Sequence, residues 1–275
     1  MANFLIAAAI AAASVAPVPA PRPAPALPAT HIPDADPAIW VVNDQDTIIY
    51  LFGTFHALDG RSAWFNDEVQ TAFDASDELV LETVIPDYRA VKPRRAPAST
   101  PRQLPLTTTS GSFLSSTRMA ISAGKARGMN VANGADVVLR RAAEEVGKPI
   151  SGLESFEYQL GMFSRVAAQP GPAASPKEDL SSVGNLAIVM GQMQAAWNRG
   201  DSEIFEIMLG QMRTNSPASY DAMFTQRNNN WAAWIAQRLQ QPGTVFVAVG
   251  VGHLAGSDSV QAKLGQLGIR SARIN

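Results

Sequence analysis

Two stretches of this chain carry the same pattern. Thr47-Ile-Ile-Tyr-Leu-Phe-Gly53-Thr-Phe-His56 aligns without a gap on Thr244-Val-Phe-Val-Ala-Val-Gly250-Val-Gly-His253. Each is a β-branched and apolar run of strand length that stops at a glycine and delivers a histidine three residues later. Residues 38–43, an apolar run joined to 47–52 by Asp44-Gln-Asp46, complete a β-hairpin. Between 62 and 75, Trp64, Phe65, Val69, Ala72 and Phe73 recur at helical spacing, and 77–82 returns as a strand. Strand, helix and strand in this order predict a parallel pair with a right-handed crossover.

From residue 112 the pattern turns helical. Helices are expected over 113–126, 135–146 and 156–167, with a short strand at 149–153. Three more helical segments follow, ending near Gln240, the last carrying Phe224, Arg227, Trp231 and Trp234. A strand over 244–249, a helix over 257–267 and a strand over 269–274 close the chain. Two aperiodic, Pro-rich stretches, 86–109 and 169–176, read as a surface excursion with the makings of a lid and as a break between helices. The fold class is therefore α/β: a mixed sheet formed by the two terminal halves, as a duplicated strand-GxxH-helix-strand unit, with a helical middle insertion.

Composition changes the picture at the N-terminus. The first residues form an apolar run of signal-peptide length that lacks a basic leader and ends in small residues, Ser14-Val-Ala-Pro-Val-Pro-Ala20. We read 1–20 as a signal peptide, too short to span a membrane, and 21–36 as a Pro/Ala-rich linker. A single domain then occupies 37–275, and the mature protein is expected to be periplasmic or secreted, with no stable membrane anchor. With 46% hydrophobic residues and a net charge of −2, a large core is available and no basic footprint for nucleic acid is present. The absence of cysteine excludes a disulfide framework, a thiolate metal site and a cysteine nucleophile.

Chemistry gathers where strands end. In open α/β sheets, sites form beyond the carboxyl ends of the strands. Four runs end there in a polar group: His56, Glu82, Glu154 and His253. The chain has three histidines, so the matched pair is a stronger signal than either alone; His31, in the linker, is expected to face solvent. Carboxylates closing apolar runs need a positive partner, which an ion, an imidazolium or an arginine can supply. The bland alternatives are Arg89 as partner for Glu82, a helix N-terminus as partner for Glu154, and for Arg227 a packing role beside Trp231 instead of anion binding. Two neutral imidazoles and a carboxylate are a common divalent-metal set.

These motifs resemble the TraB/PrgY/GumN family, relatives of the Tiki metalloproteases. The resemblance covers about 37–275. It rests on Leu51-Phe-Gly-Thr-Phe-His56, Leu79-Val-Leu-Glu82, Gly152-Leu-Glu154, Trp197-Asn-Arg-Gly-Asp201, Arg227-Asn228 with Trp231, and residues 247–256 around Gly250-Val-Gly-His253. It implies a duplicated α/β core, paired Gly-x-x-His motifs and a glutamate, with the metal-dependent proteolysis attributed to the Tiki branch. Two features depart from the family pattern: Glu82 is not followed by a Glu-x-Asp acid, and the second half has no glutamate equivalent to Glu82.

Three functional expectations follow. The first is a metal-dependent, peptidase-like hydrolase acting on a peptide or small molecule, with His56, His253 and Glu82 holding a zinc, manganese or cobalt ion. In it Glu82 or Glu154 takes the proton and Arg227 neutralises the oxyanion. The second is a non-catalytic module that uses the same pocket to bind a peptide or a cofactor such as haem. The third is metal-free hydrolysis, with a histidine base oriented by Glu82. The repeat predicts that the two histidines lie at the ends of adjacent strands, and the middle helices are expected to bring Arg227 to them. His56→Ala and Glu82→Ala are both expected to stay folded and to lose metal.

Overall fold

The computed structural model of the protein describes residues 34–84, 119–167 and 180–275. The expected leader, most of the linker, His31, Arg89, the 86–109 excursion, the start of the 113–126 helix and the 169–176 break lie outside the described residues. Asp34, Ala35 and Asp36, from the expected linker, are bonded to the domain: the Ala35 amide donates to Ala63 and the Asp36 amide to Asn198.

Among the described residues six strands form one mixed sheet: β1 (Ile39–Asn43), β2 (Thr47–Thr54), β3 (Glu78–Thr83), β4 (Ile150–Glu154), β5 (Gly243–Gly250) and β6 (Ala272–Arg273), in the order β4-β3-β5-β2-β1-β6. The hairpin forms as read, β1 antiparallel to β2 with Ile39 opposite Phe52. The expected parallel pair of β2 and β3 does not form. Instead β5 lies between them, parallel to both. The reason is burial. Along β5, Val245, Val247 and Val249 face one layer while Phe246 and Ala248 face the other, all of them buried. A strand apolar on both faces belongs at the centre of a sheet covered on both sides, and each of the valine and phenylalanine side chains stabilises by roughly 1.5–3 kcal/mol when fully buried.

Helices cover both faces. On one side are α1 (Asp67–Asp74), α2 (Ala135–Val146), the end of α4 (Leu180–Trp197) and α5 (Glu203–Asn215), whose Val69, Phe73, Leu139, Trp197 and Phe205 pack around Phe52 and Phe246. On the other, α6 (Gln226–Arg238) and α7 (Val260–Gln266) set Trp231, Ile235 and Leu264 against the β5 valines. Helix α3 (Phe156–Ala167) follows β4 directly. The first helix starts later than its apolar spacing suggests. Trp64 lies in the preceding loop, stacked on Phe52 and edge-on to Trp197, so it serves the core without belonging to the helix. The final strand shrinks to two residues on the β1 edge. Among the described residues no helix is long and apolar enough to cross a membrane.

Candidate functional site

The two matched motifs are neighbours in space but not equivalents. β2 and β5 pair in parallel with Gly53 opposite Val249 and Thr54 opposite Gly250, one residue out of step with the sequence alignment. Successive residues of a strand face opposite sides of a sheet, so the slip gives the two glycines different tasks. A side chain on Gly53 would press on Val251, with contacts of 3.2–3.3 Å. A side chain on Gly250 would meet Glu82 Oε1 at 3.0 Å and His56 Nε2 at 3.3 Å. The first glycine lets the chain after β5 pack against β2. The second makes the room in which His56 and Glu82 converge.

Beyond the glycines the chain diverges. After β5 it winds into a short 3-10 turn (Val251–Leu254) that buries His253, whose ring is held between Phe224 at 4.9 Å and Trp231 at 4.4 Å. The end of β2 is anchored by Trp197 Nε1, which donates to the Gly53 carbonyl at 2.7 Å, and the chain then bends at His56. His56 thus keeps its side chain 62% exposed, while that of His253 is 6% exposed.

Arg227 ties the buried half together. Its Nε donates to both oxygens of Glu154 (2.8 and 3.1 Å), its Nη2 to Glu82 Oε2 (2.7 Å), and its Nη1 to the Met223 carbonyl (3.2 Å) and His253 Nε2 (3.1 Å). The guanidinium is 3% exposed and lies 4.6 Å from the Trp231 ring centre. A π-helical turn (Asp221–Thr225) precedes α6 and brings Met223 and Phe224 to the site, a use typical of such turns. Both sequence alternatives for Arg227 are thus present at once: it packs on Trp231 and binds anions, and the anions belong to the protein. Glu154, the acid closing β4, also accepts from Trp231 Nε1 at 3.1 Å, so its partners are an arginine and an indole.

The partners assign the His253 tautomer. Guanidinium nitrogens only donate, so Nε2 carries the lone pair and Nδ1 the proton, which it donates to Asn228 Oδ1 at 2.6 Å. The Asn228 amide is itself oriented by donating to the Asp258 carbonyl. Burial pulls the His253 pKa down to about 3, because Arg227 opposes a second positive charge and the attraction of Glu82 does not make up the loss of water. Burial also acts to raise Glu82, but imidazolium charge at His253, the Arg227 guanidinium, charge on His56 and the Gly250 amide (2.6 Å) outweigh it and hold the carboxyl at about 2. With His253 neutral at pH 7, the standing cation beside Glu82 is Arg227. Gln159 Nε2 adds a bond to Glu82 Oε2 at 3.2 Å.

His56 has a partner that the sequence did not mark. Its Nδ1 lies 3.3 Å from Asp136 Oδ1, a buried oxygen that, among the described residues, has no hydrogen-bond partner and is left to this ion-pair contact. Crowding by the walls would lower the His56 pKa, but Asp136, with Glu82 behind it, more than compensates and raises it above 6.5. Asp136 sits in the first turn of α2, where an acid has an ordinary role at the positive end of the helix. No apolar run ends in it, so pattern alone could not single it out. Asn228 was visible only as part of the Arg227-Asn228 motif.

The same contacts bear on the fit of the expected ion set. Of the three expected ligands, His253 and Glu82 are already bonded to one buried guanidinium, which an ion between them would have to displace or lie against. Among the described residues no three of His, Cys, Asp and Glu group so as to hold a metal ion. The residues as arranged do not fit a three-ligand ion centre.

Above this floor opens a cleft of about 420 Å³. Its walls are apolar, with Met190, Met193, Met208, Leu209, Met223, Phe55, Phe205 and Phe224 from the loops and middle helices, and its polar lining is Thr54, His56, Glu82, Arg227 and His253. A mostly apolar cavity with a few convergent polar groups has the form of a small-molecule or peptide site.

The chain is also similar to known sequences. A model of the TraB/PrgY/gumN family matches residues 38–116 and 97–273. The uncharacterized protein YbaP of Escherichia coli (strain K12) is 30% identical over 138 residues, 50% of this chain and 50% of YbaP, and YbaP of Shigella flexneri gives the same figures. The chain therefore spans about half the length of the curated relatives it matches. No solved structure matches. Since the family model covers the sheet, the middle helices and every residue of the polar floor, the chain belongs to the TraB/PrgY/gumN family.

Proposed function

We propose that this protein is a hydrolase of ester or amide bonds in which His56 is the general base and Asp136 orients it. The observation that carries the reading is the convergence of His56 Nε2 and Glu82 Oε1 on the space left by Gly250, at the floor of the cleft, with Asp136 behind His56 Nδ1. A base needs its free nitrogen turned toward the substrate and its other nitrogen held. His56 supports this reading, with Nε2 at the space over Gly250 and Nδ1 3.3 Å from Asp136, while both nitrogens of His253 are taken.

In this reading a water between His56 and the substrate carbonyl gives its proton to Nε2 as its oxygen attacks the carbon. The carbonyl π electrons move to oxygen, and on collapse the His56 proton passes to the leaving oxygen or nitrogen. Four of the five Arg227 N–H groups are engaged, one on Nε, one on Nη2 and two on Nη1, so at most one remains to meet the developing oxyanion. Glu82, held ionised, keeps that guanidinium in place and favours the imidazolium that forms on His56. The orienting acid is Asp136, where the metal-free sequence reading had placed Glu82.

The ion-dependent version puts zinc, manganese or cobalt among His56, Glu82 and His253 and requires Arg227 to swing away from two of them; no step here is routed through it. An exported protein fits this proposal, and fractionation of cells expressing the full chain tests it. The activity is tested by assaying wild type, His56→Ala and Asp136→Asn on ester and anilide substrates, alongside elemental analysis. Turnover that depends on His56 and persists without stoichiometric metal supports the proposal. Turnover only with bound ion returns the chain to the metal version, and tight ligand binding without turnover makes it a binding module.

A further inference from the structure

The walls and floor of the cleft together restrict what can enter it. Met190, Met193, Met208, Leu209, Met223 and Phe224 face the cavity without a charged group among them. Methionine walls adapt to irregular apolar shapes and favour no single outline. Met208 is 41% exposed, so the apolar lining continues outward to the mouth. The floor has the opposite character. Two carboxylates, Glu82 and Glu154, share one guanidinium while His253 is neutral, which leaves net negative charge behind the reacting position. An anionic substrate would be repelled there, and Arg227 has at most one N–H left to receive it.

Resting on the hydrolase reading above, we infer that the substrate is an uncharged carbonyl compound with an extended apolar group on its acyl side. That chemistry is offered by a fatty-acyl ester and by a peptide with an apolar residue before the scissile bond. A substrate with its carbonyl over Gly250 and its acyl chain running outward along the cleft sets that chain among the methionines, and each methylene buried there should strengthen transition-state binding about three- to fourfold until the cavity is full.

The test uses the full chain. The ester arm is the 4-nitrophenyl acetate, butyrate, hexanoate and octanoate series with the hemisuccinate as anionic control. The peptide arm is the N-acetyl-Gly, -Leu, -Phe and -Asp 4-nitroanilides. A binding arm measures octanamide and octanoate by calorimetry on wild type and on His56→Ala. We expect kcat/KM to climb about three- to fourfold per methylene, with the hemisuccinate at least roughly tenfold below butyrate. A rise in the ester arm alone identifies an acyl ester, and Leu and Phe well above Gly and Asp identify a peptide. Met208→Lys, at an exposed position, should cost more activity the longer the chain.

Flat dependence on chain length, or a hemisuccinate as good as butyrate, would overturn the inference and leave the hydrolase standing. Absent turnover, octanamide binding at least about tenfold tighter than octanoate would keep the apolar-ligand inference while the hydrolase reading failed. Absence of both, or preference for octanoate, would sink this inference.

Discussion

Arg227 Nη1 meets the unprotonated Nε2 of His253 at 3.1 Å, so the arginine satisfies the lone pair of the buried histidine. The second Gly-x-x-His motif therefore supplies a neutral, fixed group, while the first supplies an exposed and titratable one. That asymmetry underlies the predictions below.

Removing Arg227 should unfold or strongly weaken the protein. Arg227→Met leaves Glu82 and Glu154 without their shared cation in a buried site, and breaking such a pair costs about 3–5 kcal/mol. Arg227→Lys should rescue little, because an ammonium cannot reproduce the planar, multidentate set of bonds. Urea denaturation of both variants checks this.

The expectation that Glu82→Ala and His56→Ala behave alike gives way to a split. Glu82 is a mostly buried acceptor for Arg227, Gly250 and Gln159, and its loss should cost roughly 1–3 kcal/mol through unsatisfied donors. His56 is exposed and should leave the thermal midpoint nearly unchanged when truncated while abolishing turnover. Equal midpoints for the two variants would contradict the burial argument.

Gly250→Ala isolates the space at the floor. Its backbone, at φ −53° and ψ 135°, suits any residue, so no conformational strain arises. The added methyl meets Glu82 Oε1 and His56 Nε2 instead. Displacement of catalytic groups by even about 1 Å can cost on the order of a hundredfold in rate. Contacts of 3.0 and 3.3 Å ask these groups to give by only a few tenths of an ångström, so we expect a folded protein with kcat lowered by less than that factor, read from circular dichroism and steady-state kinetics together.

The pH profile should report His56. Its neutral form is the base, so kcat/KM should rise with pH through a pKa above 6.5. Asp136→Asn removes the charge that raises it, and the limb should move to lower pH. The sign for stability is the reverse: a pKa raised by folding stabilises the protonated form, so this contribution is fully present below the unfolded value and is lost as pH rises through the folded one. A limb that stays in place in Asp136→Asn would remove Asp136 from its orienting role.

His253 should titrate only in acid, at about 3, and Asn228→Asp should raise that value by placing a carboxylate against Nδ1. Ring nitrogen shifts in NMR titrations of wild type and variant measure both, and wild-type Nδ1 should be the protonated nitrogen. A wild-type ring protonated on Nε2 would exclude the Arg227 contact described above.

Much of this molecule is legible in its residue pattern. The β1–β2 hairpin, the helices at 135–146 and 156–167, the strand-end positions of His56, Glu82, Glu154 and His253, and the existence of the middle helices all follow from local periodicity and from where apolar runs stop. Local sequence dictates these because propensity and amphipathic spacing act over a few residues. What tertiary structure alone decided is how the pieces meet. The one-residue slip between β2 and β5 set different tasks for Gly53 and Gly250, since a shift of one reverses the face each residue presents. Insertion of β5 between β2 and β3 put Glu82 beside Gly250. Asp136, 80 residues from His56, became its partner through packing that leaves no periodic trace. Arg227 became the cation of the site because two buried carboxylates from different strands need one within bonding distance, and distance across a fold is fixed by its packing.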